Sequence, residues 1–137
     1  MRVLFICVDN IGRSQSAEAL FNARAKKSLA ESCGCDFRHG REPKKLADIR
    51  EAEPVVQMMK EEYGIDISQR FMKPFDEKAV KRSDKVILLC NPSECPDVKS
   101  AEHWNTPRLS PLSWEERKKV IKSLDERIEA LLKSAGE

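Results

Sequence analysis

The two most apolar short segments of this chain, Val3-Leu4-Phe5-Ile6 and Val86-Ile87-Leu88-Leu89 behind Lys85, are continuous rather than alternating, and each runs straight into a cysteine, Cys7 or Cys90. A strand with no polar side belongs in the middle of a parallel sheet covered on both faces. Parallel neighbours need crossover connections, usually helices, and the intervening sequence supplies them. From Ser14 the positions Ala17, Leu20, Phe21, Ala25 and Leu29 recur at helical spacing. A second helix opens at Pro54, carries Val55, Met58, Met59 and Tyr63 on one face and ends at Gly64. Residues 75–83 suit a short helix. The closing helix has a capping box at Ser113 and Glu116 and the apolar positions Trp114, Ile121, Leu124, Ile128, Leu131 and Leu132. Weaker strand signals fall at 32–37 and 101–105, and 38–50 reads as a polar loop. Strands and helices in this alternation predict an α/β fold with a small parallel sheet. Ligands bind such sheets at the carboxyl ends of the strands, where Cys7 and Cys90 fall.

A length of 137 residues suits one domain, over 1–137, with one core. Twenty-five Lys and Arg against 23 Asp and Glu leave +2, so no global field favours nucleic acid or an acidic membrane. The first apolar stretch, 3–8, is too short for a signal-peptide core, and no run approaches the ~20 residues of a membrane helix. Five unevenly spaced cysteines do not make a disulfide framework, and the odd count suits the reducing cytosol. The expectation is a cytoplasmic protein without a nucleic-acid or membrane partner.

Cys33, Cys35, Cys90, Cys95, His39 and His103 invite a zinc reading, but Cys33 and Cys35 are too close together for an ordinary zinc knuckle. No metal and no cofactor is expected. His103 beside Trp104 reads as a strand-end packing pair, with Cys33 and Cys35 as scaffold thiols. Lys44-Lys45 and Arg117-Lys118-Lys119 read as solvated faces. Arg70, Lys73 and Tyr63 are candidates for a substrate entrance.

The loop between the first strand and first helix reads Cys7-Val8-Asp9-Asn10-Ile11-Gly12-Arg13-Ser14. A tight loop entering a helix turns backbone N–H groups inward and adds the positive end of the helix dipole, which suits a tetrahedral anion. The substrate-binding candidates are therefore Val8, Asp9, Asn10, Ile11, Gly12 and Arg13. The same field favours a thiolate at Cys7, making it a nucleophile. Arg13 offers a planar fork for two oxygens, which Lys does not. Ser14 is placed to cap the helix and to donate toward the thiolate, and Asn10 to bridge the loop's own backbone. Cys7, Arg13 and Ser14 are the catalytic candidates.

These residues resemble the low-molecular-weight protein tyrosine phosphatases and the thioredoxin-coupled arsenate reductases that share their fold. The resemblance rests on Val3-Leu4-Phe5-Ile6-Cys7, Asn10, Arg13-Ser14 and Ala17-Glu18-Ala19, and continues through Ser32-Cys33-Gly34, Gly64-Ile65-Asp66-Ile67-Ser68 and the strand into Cys90. It implies a three-layer α/β/α fold around a four-stranded parallel sheet. As a phosphatase, the chain would attack phosphorus with Cys7 and hydrolyse the phosphocysteine, acting on a phosphorylated protein or small phosphoester. Asn10 would shape the loop, and Ser14 would stabilise the thiolate.

Two departures bear on that expectation. The family's general acid lies in a late Asp-Pro pair, but here the region reads Trp104-Asn105-Thr106-Pro107 and no Asp lies between Asp97 and Asp125. Asp9, Asp97 and Glu102 are the substitutes to consider. Gly12 stands where a second loop cysteine is common. The segment Cys90-Asn91-Pro92-Ser93-Glu94-Cys95 looks like the reductase arrangement, in which a second thiol displaces arsenic from the first and a third resolves the disulfide. That reading implies an oxyanion substrate, a Cys7/Cys90/Cys95 relay and a thioredoxin-like reductant. The leading expectation is a cysteine-dependent phosphatase, the alternative an arsenate reductase. The third is a non-catalytic phosphoanion or phosphoprotein binder.

Overall fold

The computed structural model describes residues 1–36 and 43–137. Phe37, His39 and the start of the polar loop lie outside the described residues. Strands β1 (Arg2–Cys7), β2 (Leu29–Gly34), β3 (Lys85–Leu88) and β4 (Glu102–His103) form one parallel sheet in the order β2-β1-β3-β4. The helices are α1 (Arg13–Arg24), α2 (Glu53–Tyr63), α3 (Glu77–Arg82) and α4 (Trp114–Ser134).

The continuous apolar strands divide their side chains between two cores, as a doubly covered sheet requires. Val3, Phe5 and Ile87 join the larger cluster with Leu20 and Phe21 of α1, Met58 and Met59 of α2 and Ile121, Leu124 and Ile128 of α4. Leu4, Ile6, Val86 and Leu88 face the other way, onto Cys33 and Ala79. Each fully buried Leu or Ile contributes about 1.5–3 kcal/mol of transfer free energy. The second layer is thin: beside six-residue α3 it holds Cys35, Cys95, Val98 and Ala101 packed against the cluster. β2 and β3 pair on opposite sides of β1, so the chain changes direction across the sheet at β1, and a crevice opens at the carboxyl ends there.

The local signals for α2 and α4 appear as expected. Pro54 lies in the first turn of α2, and Gly64 closes it at φ 68°, a left-handed conformation that suits glycine. The Ser113–Glu116 capping box opens α4. The first helix is shorter than its periodicity predicts. Ala25 is extended, and the N–H groups of Lys26, Lys27 and Ser28 donate to the Glu137 side-chain carboxylate at 2.8, 2.7 and 3.1 Å. Those bonds hold that carboxyl down to about 2. Leu29, counted on the helix face by spacing, begins β2 and is exposed.

The second strand accordingly runs over Leu29–Gly34 rather than 32–37, because its register follows pairing to β1, from Arg2 opposite Leu29 to Cys7 opposite Gly34. The last strand shrinks to Glu102–His103, an exposed edge. Trp104 packs its ring 5.9 Å from that of Phe5, while His103 stays exposed. Arg117 is not on a solvated face. It is buried and donates to the carbonyls of Leu109 and Leu112 at 3.0 and 2.6 Å, pinning the loop before α4.

Candidate active site

Cys7 ends β1, and the buried loop residues Val8, Asp9, Asn10 and Ile11 lead through Gly12 into α1. Gly12 occupies the N-cap position, so Ser14 does not cap the helix. Its Oγ lies 2.9 Å from Cys7 Sγ instead. The hydrogen-bond pattern assigns the direction of that contact. Asn10 Oδ1 accepts from the Lys73 backbone N–H at 2.8 Å, which fixes the other amide atom as Nδ2. Asn10 Nδ2 donates to Ser14 Oγ at 2.8 Å, leaving the Ser14 proton free to donate to sulfur, an arrangement suited to a thiolate.

Asn10 sits at φ 57°, where Asn is among the few side chains readily accommodated. It does not bridge the loop's own backbone. Its side chain ties the loop outward to Ser32 Oγ at 3.0 Å, Gln15 Nε2 at 2.9 Å and the Lys73 amide. Ser32 donates to Glu18 Oε1 at 3.3 Å, and Glu18 also takes Lys73 Nζ at 2.9 Å and the Arg70 guanidinium. A buried chain of polar groups thus runs from Glu18 through Ser32, Asn10 and Ser14 to the Cys7 sulfur. Arg70 and Lys73 serve this network and do not line the Cys7 cavity. Tyr63 is half-buried against the core at the end of α2.

Gly34, opposite Cys7 in the sheet, supports the loop from beneath. A Cβ there would lie 2.7 Å from Val8 O and 3.0 Å from Asn10 N. Both are backbone atoms, which yield only if the loop moves. Gly34→Ala is therefore expected to cost about 1–3 kcal/mol by overpacking, read as a lower urea midpoint. A variant as stable as the wild type would show that the loop is not braced in this way. Gly12 differs: an added Cβ there meets Leu109 and Val55 at an ordinary 3.7 Å.

The cavity over Cys7 is lined by Asp9, Ile11, Gly12 and Arg13 from the loop, Glu51 and Val55 from the α2 side, and Arg108, Leu109 and Ser110. Arg13 is buried, and its Nη1 donates to Thr106 O at 2.9 Å. At the rim Arg108 lies 3.7 Å from an oxygen of Asp9 and 3.8 Å from one of Glu51. Of the three carboxylates considered as general acids, Asp9 alone lines this cavity. Asp97 is exposed on the loop before β4. Glu102 stands on the edge strand, where Lys85 at 2.5 Å holds its carboxyl below the usual range.

The remaining thiols separate by environment. Burial pushes Cys33 up to about 11, an inert scaffold thiol. Cys90 and Cys95 form a disulfide with Cα atoms 5.6 Å apart. Cys90 follows Leu89, whose N–H donates to Ile6 O at 2.8 Å, so the disulfide begins beside the end of β1 that carries Cys7. Among the described residues no group of three or more His, Cys, Asp or Glu is arranged to hold a metal ion, and no helix is long and apolar enough to cross a membrane. Sequence reasoning gave no site role to Gln15, Glu18, Ser32, Gly34, Glu51, Thr106 and Arg108, although Glu18, Ser32 and Gly34 are among the residues that carry the resemblance. The buried polar side of α1 was the available signal for Gln15 and Glu18.

The family model for low molecular weight phosphotyrosine protein phosphatase matches residues 2–136. The chain belongs to this family. An arsenate reductase of Staphylococcus aureus is 32% identical over 128 residues, spanning 86% of each chain. Among solved structures, the low molecular weight protein tyrosine phosphatase from T. tengcongensis superimposes with a TM-score of 0.75 at 28% identity, covering 98% of this chain and 99% of that one. A thioredoxin-dependent arsenate reductase of Corynebacterium glutamicum gives a TM-score of 0.65 at 29% identity, covering 97% of this chain and 60% of the other. The family's three-layer α/β/α architecture, with its four-stranded parallel sheet, is the fold found.

Proposed function

We propose that this member of the family is an arsenate reductase working through a thiol relay, with Cys7, Arg13 and Ser14 as its catalytic residues and a thioredoxin-like protein as reductant. The observation that carries the reading is the Cys90–Cys95 disulfide at the end of the strand next to Cys7. In a reducing compartment a short-range disulfide is usually a redox device rather than a staple. The named relatives at about one-third identity point the same way.

The residues divide the work as follows. The Cys7 thiolate, receiving the Ser14 hydroxyl proton as a hydrogen bond, attacks arsenic and displaces one arsenate hydroxyl, which takes up a proton from solvent and leaves as water. Arg13 and the loop amides hold the remaining oxygens. Cys90 then attacks the Cys7 sulfur, an S–S bond forms, and the As–S electron pair leaves with arsenic, reduced from As(V) to As(III). Cys95 attacks Cys90, releasing Cys7 as thiolate and leaving the Cys90–Cys95 disulfide. The reductant returns two electrons and two protons to it.

Cys90→Ser is expected to reduce thioredoxin-coupled, arsenate-dependent NADPH oxidation by at least ~100-fold. Rates equal to wild type would rule out the relay. A second reading, phosphomonoester hydrolysis, is favoured by one observation, the Asp9 carboxylate in the cavity wall. Cys7-dependent turnover of an aryl phosphate with no arsenite formed would establish it instead.

A further inference from the structure

Cys35 lies just beyond β2, and its two ends reach the two halves of the relay. Its backbone N–H donates to the Cys7 carbonyl at 2.9 Å. Its Sγ contacts the Glu94 carbonyl oxygen at 3.3 Å, inside the loop that the Cys90–Cys95 disulfide closes. Peptide geometry carries that contact one residue further, because a carbonyl oxygen is about 2.8 Å from the next Cα, so the Cys95 Cα lies within roughly 6 Å of the Cys35 sulfur. Cys35 and Cys95 pack against the same apolar cluster, both half-buried, whereas Cys90 is fully buried.

We propose that Cys35 is a fourth redox thiol of the relay, accepting the disulfide from Cys90 by exchange at Cys95. The Cys35 thiolate, its proton lost to solvent, attacks Cys95 Sγ. The Cys35–Cys95 bond forms as the Cys90–Cys95 bond breaks, and the electron pair departs on Cys90, which takes up a proton. No external oxidant or reductant enters, because the disulfide only moves. Burial, with Cys7 nearby, pushes the Cys35 thiol up. A disfavoured thiolate slows the attack near neutral pH, so the exchange quickens as the pH rises.

The exchange returns Cys90 to the reduced state beside Cys7. Four thiols rather than three then bear on the chemistry, which changes the electron count. Without reductant, a Cys7/Cys90/Cys95 relay stops after one arsenate, with Cys90 consumed. With Cys35 engaged, a second arsenate is reduced, ending in Cys35–Cys95 and Cys7–Cys90 bonds. This count rests on the reductase reading, but the exchange itself does not.

The test has two arms on the full chain. In the first, reduced wild type and Cys90→Ser are oxidised with one equivalent of diamide, free thiols are alkylated, and the disulfides are mapped by peptide mass spectrometry. A Cys35–Cys95 bridge is expected as a fraction in wild type and as the main bridge in Cys90→Ser. Alkylated Cys35 in both proteins, or Cys95 bridged to Cys7 or Cys33 instead, would overturn the assignment. In the second arm, arsenite released per reduced chain without reductant is counted, with about two expected for wild type and one for Cys35→Ala. Bridge formation without any arsenite would retain the exchange and reject the reductase reading. One arsenite from both proteins with no bridge would do the reverse.

Discussion

Cys7→Ser is expected to reduce turnover by roughly 10⁴–10⁶-fold, the scale of loss when a covalent nucleophile is removed. The substitution is close in size, so the packing of this buried position is retained while the nucleophile is lost. A serine hydroxyl is far less ionised at neutral pH than a thiol, and the Ser14 contact at 2.9 Å does not compensate. Arsenite release is measured with a thioredoxin couple, and phosphate release from an aryl phosphate in parallel. Diamide oxidation of the variant should still form the Cys90–Cys95 bond, which separates loss of the nucleophile from loss of the fold. Residual turnover within tenfold of wild type on either substrate would remove Cys7 from the mechanism.

Arg13→Lys is expected to lower kcat/KM by about 10²–10³-fold, although charge is preserved. Arg13 is nearly enclosed and lines the cavity, with one guanidinium nitrogen committed to Thr106 O at 2.9 Å. An ammonium on a flexible stem cannot serve both tasks in that geometry. Leaving the Thr106 carbonyl without its donor adds a stability loss of about 1–3 kcal/mol. Steady-state kinetics and urea denaturation on the same preparation separate the two effects, and sulfate affinity by calorimetry reads the anion site alone. A lysine variant within fivefold of wild type in kcat/KM would show that charge, not the planar fork, is what the site requires.

How far the chain could be read depended on whether the interacting residues lay near one another in sequence. The α4 capping box spans three residues and the α2 ending involves one glycine, so both were legible. The strand-to-helix loop around Cys7 was legible for the same reason. The end of α1 was not, because the groups that stop the helix at Arg24 include a carboxylate at position 137. Ser32 gave little strand signal, yet it occupies a buried place between Asn10 and Glu18 that only pairing with β1 creates. Arg117 looked like one more surface charge until its carbonyl partners were in place. Glu102 looked available, and Lys85 claims it.

By itself, then, the amino-acid order determined the parallel sheet, the helices that flank it and a cysteine at the start of the strand-to-helix loop. Those follow from apolar periodicity and from residue types within one turn of each other. The tertiary structure decided the longer-range polar and thiol partnerships: that Asn10 is tied to Ser32 and the Lys73 amide, that Arg13 is anchored on the Thr106 carbonyl, and that Cys35 reaches the loop closed by Cys90 and Cys95. Each depends on distances between segments tens of residues apart, and hydrogen bonding and thiol exchange are lost when those distances grow by an ångström or two. Hydrophobic burial tolerates such changes, so its pattern can be read along the chain, whereas short-range chemistry becomes visible only once the chain has folded.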